Sequence, residues 1–315
     1  MLPVCFAASR YPWFMGYEKV DESPYMVFPS LLKGSKVRRE PVYSKVKIIK
    51  ETHELATFAL GGDCVRHALI TAGSKGLGRK VTESLLNMGY SVTVNYRSDD
   101  EAVRQMKEEL QEYEEKLQFV QGDVTNKEDL KNMVELAAER FGRIDALINN
   151  AGPYIFERKK LADYSEDEWY QMMEGNLSAV FHLFRMVIPM MRKQGFGRII
   201  TYGFQGADHA PGWMHRSAFG AAKVGLASLT KTIAIEEAEN GITANMVCPG
   251  KIVGDMKEST IEEARQIKDD ETPIGRSGTG EDIGRIISFL CDDRSDLITG
   301  TVIEVTGGLN VIHRH

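Results

Sequence analysis

From Arg66 onward the chain alternates short apolar runs with longer amphipathic stretches. The runs at 67–71, 91–96, 118–121, 146–149, 198–202, 243–247 and 301–305 have the length and composition of strands buried on both faces. Residues 79–88, 99–117, 166–193, 217–240, 261–269 and 281–291 carry the helical period or a sustained apolar content. Strand and helix in turn describe βα units on a parallel sheet. The expectation is an α/β doubly wound, Rossmann-type sheet of about seven strands in a three-layer α/β/α domain over residues 65–315.

Residues 1–64 form a separate N-terminal extension in this reading. They hold two aromatic clusters and a basic patch at Lys33, Lys36, Arg38 and Arg39, without a sustained period. Residues 45–59 read as a strand and then a helix, ending at Gly61-Gly62-Asp63. Three readings stay open: a covering arm, a disordered tail, or leader sequence before a protein that starts near Val65.

Composition narrows the function classes. The formal net charge of −6 over 315 residues supplies no basic footprint for nucleic acid. No apolar run in the sequence approaches the roughly 20 residues of a membrane helix, so no membrane partner is expected. Cys5, Cys64, Cys248 and Cys291 lack paired spacing, which fits a reducing cytoplasm and neither a disulfide framework nor a metal site. The N-terminus lacks the basic start, apolar stretch and cleavage site of a secretory signal. A small-molecule partner is the expectation.

The sharpest local signal is Thr71-Ala72-Gly73-Ser74-Lys75-Gly76-Leu77-Gly78. It follows an expected strand and opens an expected helix, the setting in which glycines let a backbone approach a diphosphate at a helix N-terminus. At the end of the second strand, where an acid would bind the adenosine ribose of NAD, stands Asn95-Tyr96-Arg97-Ser98. Lys75 and Arg97 are placed to meet a ribose phosphate, which favours NADP(H); Asp99 or Asp100 is the alternative ribose acceptor. Lys223 is the single charge in an apolar stretch from Ala218 to Ala227, costly unless an anionic or hydroxylic group meets it.

Further segments carry a family resemblance: Gly122-Asp123-Val124-Thr125, Asn149-Asn150-Ala151-Gly152, Gly175-Asn176, Cys248-Pro249-Gly250, Pro273-Ile274-Gly275-Arg276 and the stretch from Thr299-Gly300 to Gly308. In this order, from about Arg66 to the C-terminus, the chain resembles the short-chain dehydrogenase/reductases, most nearly the 3-oxoacyl-acyl-carrier-protein reductases. The resemblance implies that Asp123 and Val124 flank the adenine, that Asn150, Ala151 and Gly152 line the cofactor channel, and that Pro249, Gly250 and Ile252 sit by the nicotinamide. It implies the catalytic positions Asn176 and Lys223, and dimers or tetramers formed through 166–193, 217–240 and the last strand.

Two positions depart from the pattern. Phe219, four residues before Lys223, stands where the family has tyrosine, and Phe204 stands where it has serine. The segment between them is about two residues longer than usual, and Gly254 replaces a threonine that often holds the carboxamide. Phenylalanine donates no proton, and a positioned acid contributes roughly 10² to 10⁴ in rate. Tyr202, two residues before Phe204 and expected on the same face, is the first candidate for a relocated acid. Tyr154, His209, His215 and Ser217 lie in the surrounding loops, Ser217 also as a helix cap.

Trp213, Met214 and Phe156 are an apolar lining for an acyl chain or ring, and Arg158, Lys159 and Lys160 an anionic contact or a solvated face. Three functions remain open: an NADP(H)-dependent carbonyl reductase of 3-oxoacyl-like substrates with a non-standard acid, a reductase of activated C=C bonds, and a catalytically silent NADP-binding protein.

Overall fold

The computed structural model describes residues 65–312; the expectations for residues 1–64 lie outside the described residues. Seven parallel strands form one sheet, β1 (His67–Ile70), β2 (Ser91–Tyr96), β3 (Leu117–Gln121), β4 (Ala146–Asn149), β5 (Gly197–Tyr202), β6 (Ile242–Pro249) and β7 (Val302–Val305), in spatial order β3-β2-β1-β4-β5-β6-β7. The order reverses at β1, where the chain crosses from β3 back to β4. That reversal opens a crevice at the carboxyl ends of β1 and β4, where such sheets bind ligands. The doubly wound α/β architecture read from the sequence is the one observed.

Strands β1 and β4 are buried along their whole length because helices cover both faces. One face carries Val81, Leu85 and Leu86 of α1 (Gly76–Asn87) and Ile283, Ile287 and Leu290 of α8 (Gly280–Cys291). The other carries residues of α3 (Lys127–Phe141), α5 (Ala179–Gln194) and α6 (Ser217–Glu236). The remaining helices are α2 (Asp100–Glu109), α4 (Glu166–Met173) and α7 (Ile261–Arg265).

Several boundaries differ from expectation. The stretch 99–117 divides into α2, capped by Asp99 on Ala102 N–H, and a 3-10 turn at Gln111–Lys116. The stretch 166–193 is interrupted by a π turn at Glu174–Ser178. Helix α3 was not expected, although Leu130, Met133, Val134 and Ala137 give it a buried stripe between an Asn126 cap and a left-handed Gly142. Helix α6 is long and apolar enough to cross a membrane by length and composition, contrary to the reading that no such run exists. It packs against β5 and β6, and Ala222, Leu226, Ala227 and Ala234 are buried there.

Candidate active site

The first crossover is pinned from both sides. Thr71 N–H donates to Ile148 O across to β4 at 3.1 Å, and Gly73 N–H donates to Asn95 O at 3.0 Å. Asn95 Oδ1 accepts from Ala72 N–H at 3.2 Å while its amide donates to Gly122 O at 2.8 Å, so one buried side chain ties the glycine turn to the end of β3. On the other flank Asn150 Nδ2 donates to Thr71 O and Ala72 O at 3.0 and 2.9 Å. This packing explains Gly78: a Cβ there would lie 2.3 Å from Ala72 O and 2.6 Å from Asn150 Nδ2. Asn95 and Asn150 are polar anchors of the turn, and Asn95 was absent from the candidate residues.

A cavity of about 410 Å³ opens beside this turn, lined by Ser74, Lys75, Arg97, Ser98, Asp123 and Val124 and continuing to Ala151 and Gly152. Lys75 and Arg97 therefore share a cavity, as the ribose-phosphate reading requires. Lys75 Nζ is paired with Asp99 at 2.8 Å, and Arg97 reaches Asp123 at 4.0 Å. Asp99, the alternative ribose acceptor, is thus engaged by Lys75 and by its own helix cap. Gly73, Gly76, Leu77 and Gly78 frame the turn behind the cavity. Glu258, which no sequence signal marked, accepts from Gly76 N–H at 2.6 Å and from Arg79 at 3.3 Å.

Asn176 sits fully buried in the π turn, a local widening of the kind that often marks functional helices. Its Nδ2 donates to Pro153 O and Met172 O at 2.9 and 3.1 Å, which leaves Oδ1 buried and without a partner among the described residues. A Cβ on Gly152 would come 2.4 Å from that oxygen and 3.5 Å from Lys223 Nζ. Gly152, Asn176 and Lys223 are therefore brought together. Lys223 is 5 % exposed, and burial pulls its ammonium down to about 8, offset in part by Cys248. The orphaned amide oxygen and the desolvated ammonium are polar groups that a nicotinamide ribose would satisfy, so these residues fit the cofactor.

Beyond Lys223 the wall is aromatic. Its Nζ lies 5.7 Å from the Phe219 ring centroid. Phe219 meets Tyr154 edge-on at 4.9 Å, and Phe204 lies 4.9 Å from Trp213 and 6.3 Å from Phe219. Phe204 and Phe219 thus belong to one packed cluster, with no hydroxyl on either ring. Arg216 lies over the Tyr154 ring at 5.0 Å and donates through Nε to Tyr154 Oη at 2.5 Å.

Tyr202 is not in this cluster. It belongs to the buried cluster that holds Ile70, Ile148, Val247 and Ile252 on the face of α1 and α8, whereas Phe204 belongs to the opposite face with α5 and α6. The same-face expectation fails because β5 ends at Tyr202, and Phe204, past Gly203, packs on the opposite face of the sheet. Burial pushes the Tyr202 phenol far above its usual range, and its hydroxyl has no partner among the described residues. It shares its face of the sheet with Ile252 and lies in a different cluster from Phe204.

Ser217 begins α6 without capping it, because Arg216 occupies the cap position. His209 is exposed and paired with Asp208. Lys159 is held by Glu157 and Glu168. Gly250 donates to Val305 O at 2.8 Å and stands against Thr306, where a Cβ would be 2.6 Å from Thr306 Cα. Among the described residues no group of His, Cys, Asp or Glu is arranged to hold a metal.

Comparison with known proteins agrees with this geometry. The family model described as enoyl-(acyl carrier protein) reductase matches residues 71–310. The chain is 77 % identical over 252 residues to YtkK of Bacillus subtilis (strain 168), provisionally named an oxidoreductase, covering 80 % of this chain and 99 % of that one. A solved Bacillus thuringiensis structure, provisionally named a 3-oxoacyl-reductase, is 69 % identical with a TM-score of 0.75, covering 79 % of this chain and 100 % of the other. A single-residue variant of actinorhodin polyketide ketoreductase, solved with NADPH, is 28 % identical with a TM-score of 0.68, covering 78 % and 97 % of the two chains. Strand order, pinned glycine turn and family match lead to one conclusion: the chain belongs to the short-chain dehydrogenase/reductase family, whose members bind a nicotinamide cofactor.

Proposed function

We propose that this chain is an NADP(H)-dependent reductase of carbon–carbon double bonds conjugated to a carbonyl, of the 2-enoyl thioester type. The observation that carries the reading is the packing of Phe204 and Phe219 with Trp213 and Tyr154, beside a Lys223 that keeps its place. A bound reduced nicotinamide would supply hydride. Reducing a ketone then demands a proton at the new alkoxide, and neither Phe204 nor Phe219 offers one. For a conjugated alkene the hydride would add to the β-carbon, and the resulting enolate takes its proton at the α-carbon from solvent water, so the absent phenol matters less. The Lys223 ammonium, in a site of low polarity, stabilises negative charge on the substrate oxygen. Asn176 holds the helix interruption and offers Oδ1 to a ribose or an ordered water.

The phosphorylated cofactor is favoured by Lys75 and Arg97 in one cavity and by the phenol of Tyr96 where an acid would repel a ribose phosphate. A homodimer or homotetramer in the cytoplasm completes the reading.

Reduction of 3-oxoacyl carbonyls is the second reading. It is supported by the names of the Bacillus thuringiensis and actinorhodin proteins. It then requires a proton from a group other than Phe219, and Lys223 and Tyr154 are proton-bearing side chains beside that ring.

Both readings are separated by following NADPH oxidation with a 2-enoyl thioester and a 3-oxoacyl thioester of equal chain length. The expected outcome is turnover of the first and at least a hundredfold slower turnover of the second. Faster ketone turnover overturns the alkene reading, and tight NADPH binding without turnover of either substrate makes the chain a silent binding protein.

A further inference from the structure

One ring beyond Phe219 the molecule holds a second, smaller cavity of about 120 Å³, lined by Tyr154, Arg158, Trp213, Met214, His215 and Arg216 together with Val311 and Ile312. Two guanidiniums and an imidazole line it, and no carboxylate does. Arg216 is held rigidly yet left uncompensated: its five-donor head gives to Tyr154 Oη and to the carbonyls of Glu157, His215 and Phe156, all neutral acceptors. Neither Arg216 nor Arg158 forms an ion pair among the described residues, and the nearby Glu157 and Glu168 carboxylates are taken by Lys159. A fixed, partly desolvated cation without a counter-charge is unfavourable unless an anion completes it.

His215 adds an independent sign. Its backbone stands at φ 65°, a left-handed conformation that is strained for a residue other than glycine. Its Nδ1 is buried without a partner among the described residues, while Tyr164 Oη donates to its carbonyl at 3.3 Å and holds the strained turn. Strain and an unsatisfied donor or acceptor at one residue are the marks of a position kept for a ligand.

We propose that this cavity binds the oxyanion group of the substrate, a carboxylate or a phosphate ester, while the rest of the molecule runs along Trp213 and Tyr154 toward Phe219. Its role as a substrate subsite rests on the reductase reading; its binding of an oxyanion does not. The volume sets the scale, since it falls below the ~150 Å³ that encloses a benzene ring, so a charged terminus enters and a ring stays outside against the aromatic wall. Arg158 and Arg216 provide the charge, and planar guanidiniums suit both oxyanions.

Trp213 lines the cavity and reports its occupancy. Intrinsic fluorescence of the full-length protein is titrated with benzoate, phenyl phosphate and the neutral benzamide, without cofactor, using Trp213→Phe to subtract the other tryptophans. At least one anion is expected to bind ten times or more tighter than benzamide, and whichever anion binds tighter names the group. Arg158→Gln, a substitution at an exposed position that leaves the fold alone, and His215→Ala are each expected to weaken the anion about tenfold without moving benzamide. Equal affinity for anions and benzamide, or unchanged anion affinity in Arg158→Gln, overturns the proposal. Because no turnover is read, that failure leaves the reductase reading standing, and a failed turnover assay leaves this one standing.

Discussion

One turn of α6 carries Phe219 and Lys223 on the same side, with the ammonium 5.7 Å from the ring centroid. In place of a phenol whose oxygen could share its proton, the ammonium faces a hydrocarbon, and burial holds it at about 8 against an ordinary 10.5. The sign of the consequence follows from linkage. Between those values the unfolded chain carries a proton that the folded chain lacks, so stability rises with pH across that window. Below about 8 the whole penalty, about 3 kcal/mol, is present. Lys223→Met is therefore expected to be more stable than the parent at pH 7 by up to about 3 kcal/mol, with the advantage gone above pH 10.5, and to bind NADPH at least tenfold more weakly. Denaturant titrations at both pH values and a cofactor titration check this; a Lys223→Met protein less stable than the parent at pH 7 refutes it.

Restoring the hydroxyls tests the aromatic wall. Phe204→Ser combined with Phe219→Tyr is expected to raise 3-oxoacyl reduction by about 10² or more, because the new phenol arrives beside Lys223. The gain costs stability: Phe204 is 4 % exposed and packed against Trp213, so its loss removes about 3–5 kcal/mol, of the order of a Phe→Ala change. Ketone turnover is therefore measured at a temperature where circular dichroism shows the variant folded. No gain in a folded double variant means the pocket around the rings, and not the rings alone, excludes ketones.

The cofactor preference resides in few residues. Arg97→Gln removes the guanidinium that shares a cavity with Lys75, and is expected to weaken NADPH about tenfold while leaving NADH within twofold. Tyr96→Asp installs a carboxylate at the ribose and is expected to reverse the preference. Paired titrations with both nucleotides decide; equal loss for both would place Arg97 on the shared part of the molecule.

The architecture was legible because buried parallel strands are nearly continuous apolar runs, and the glycine turn because its strand and helix flank it closely in sequence. What escaped depends on contacts across the fold. Asn95 reads as one polar residue in a strand, yet it joins the first crossover to the end of β3. Glu258 reaches Gly76 from 182 residues away. Helix α3 did carry its signal, Leu130, Met133, Val134 and Ala137 at helical spacing, diluted by the charged residues that fill nearly half of its length. The clustering of Phe204, Phe219, Trp213 and Tyr154 could not follow from spacing, since the regular strand ends at Tyr202 and Phe204 then packs on the opposite face of the sheet.

That change of face also decides the role of Tyr202. A strand continued through Gly203 would have carried Tyr202 and Phe204 on one face, and Tyr202 would then be the natural heir to the proton. In the observed geometry its hydroxyl is buried in the apolar cluster that holds Ile148, Val247 and Ile252, unpartnered among the described residues, on the face of the sheet away from Phe204 and Phe219, and burial holds its phenol well above the usual range. An unsatisfied buried hydroxyl costs roughly 1–3 kcal/mol. Tyr202→Phe, which deletes that atom and keeps the ring, is thus expected to raise stability by about 1 kcal/mol and the melting temperature by roughly 2–4 °C for a domain of this size. It is expected to leave NADPH affinity and reductive turnover within twofold of the parent. A melting curve and steady-state rates on the two proteins suffice, and a variant that keeps its fold but loses turnover would return the proton to Tyr202.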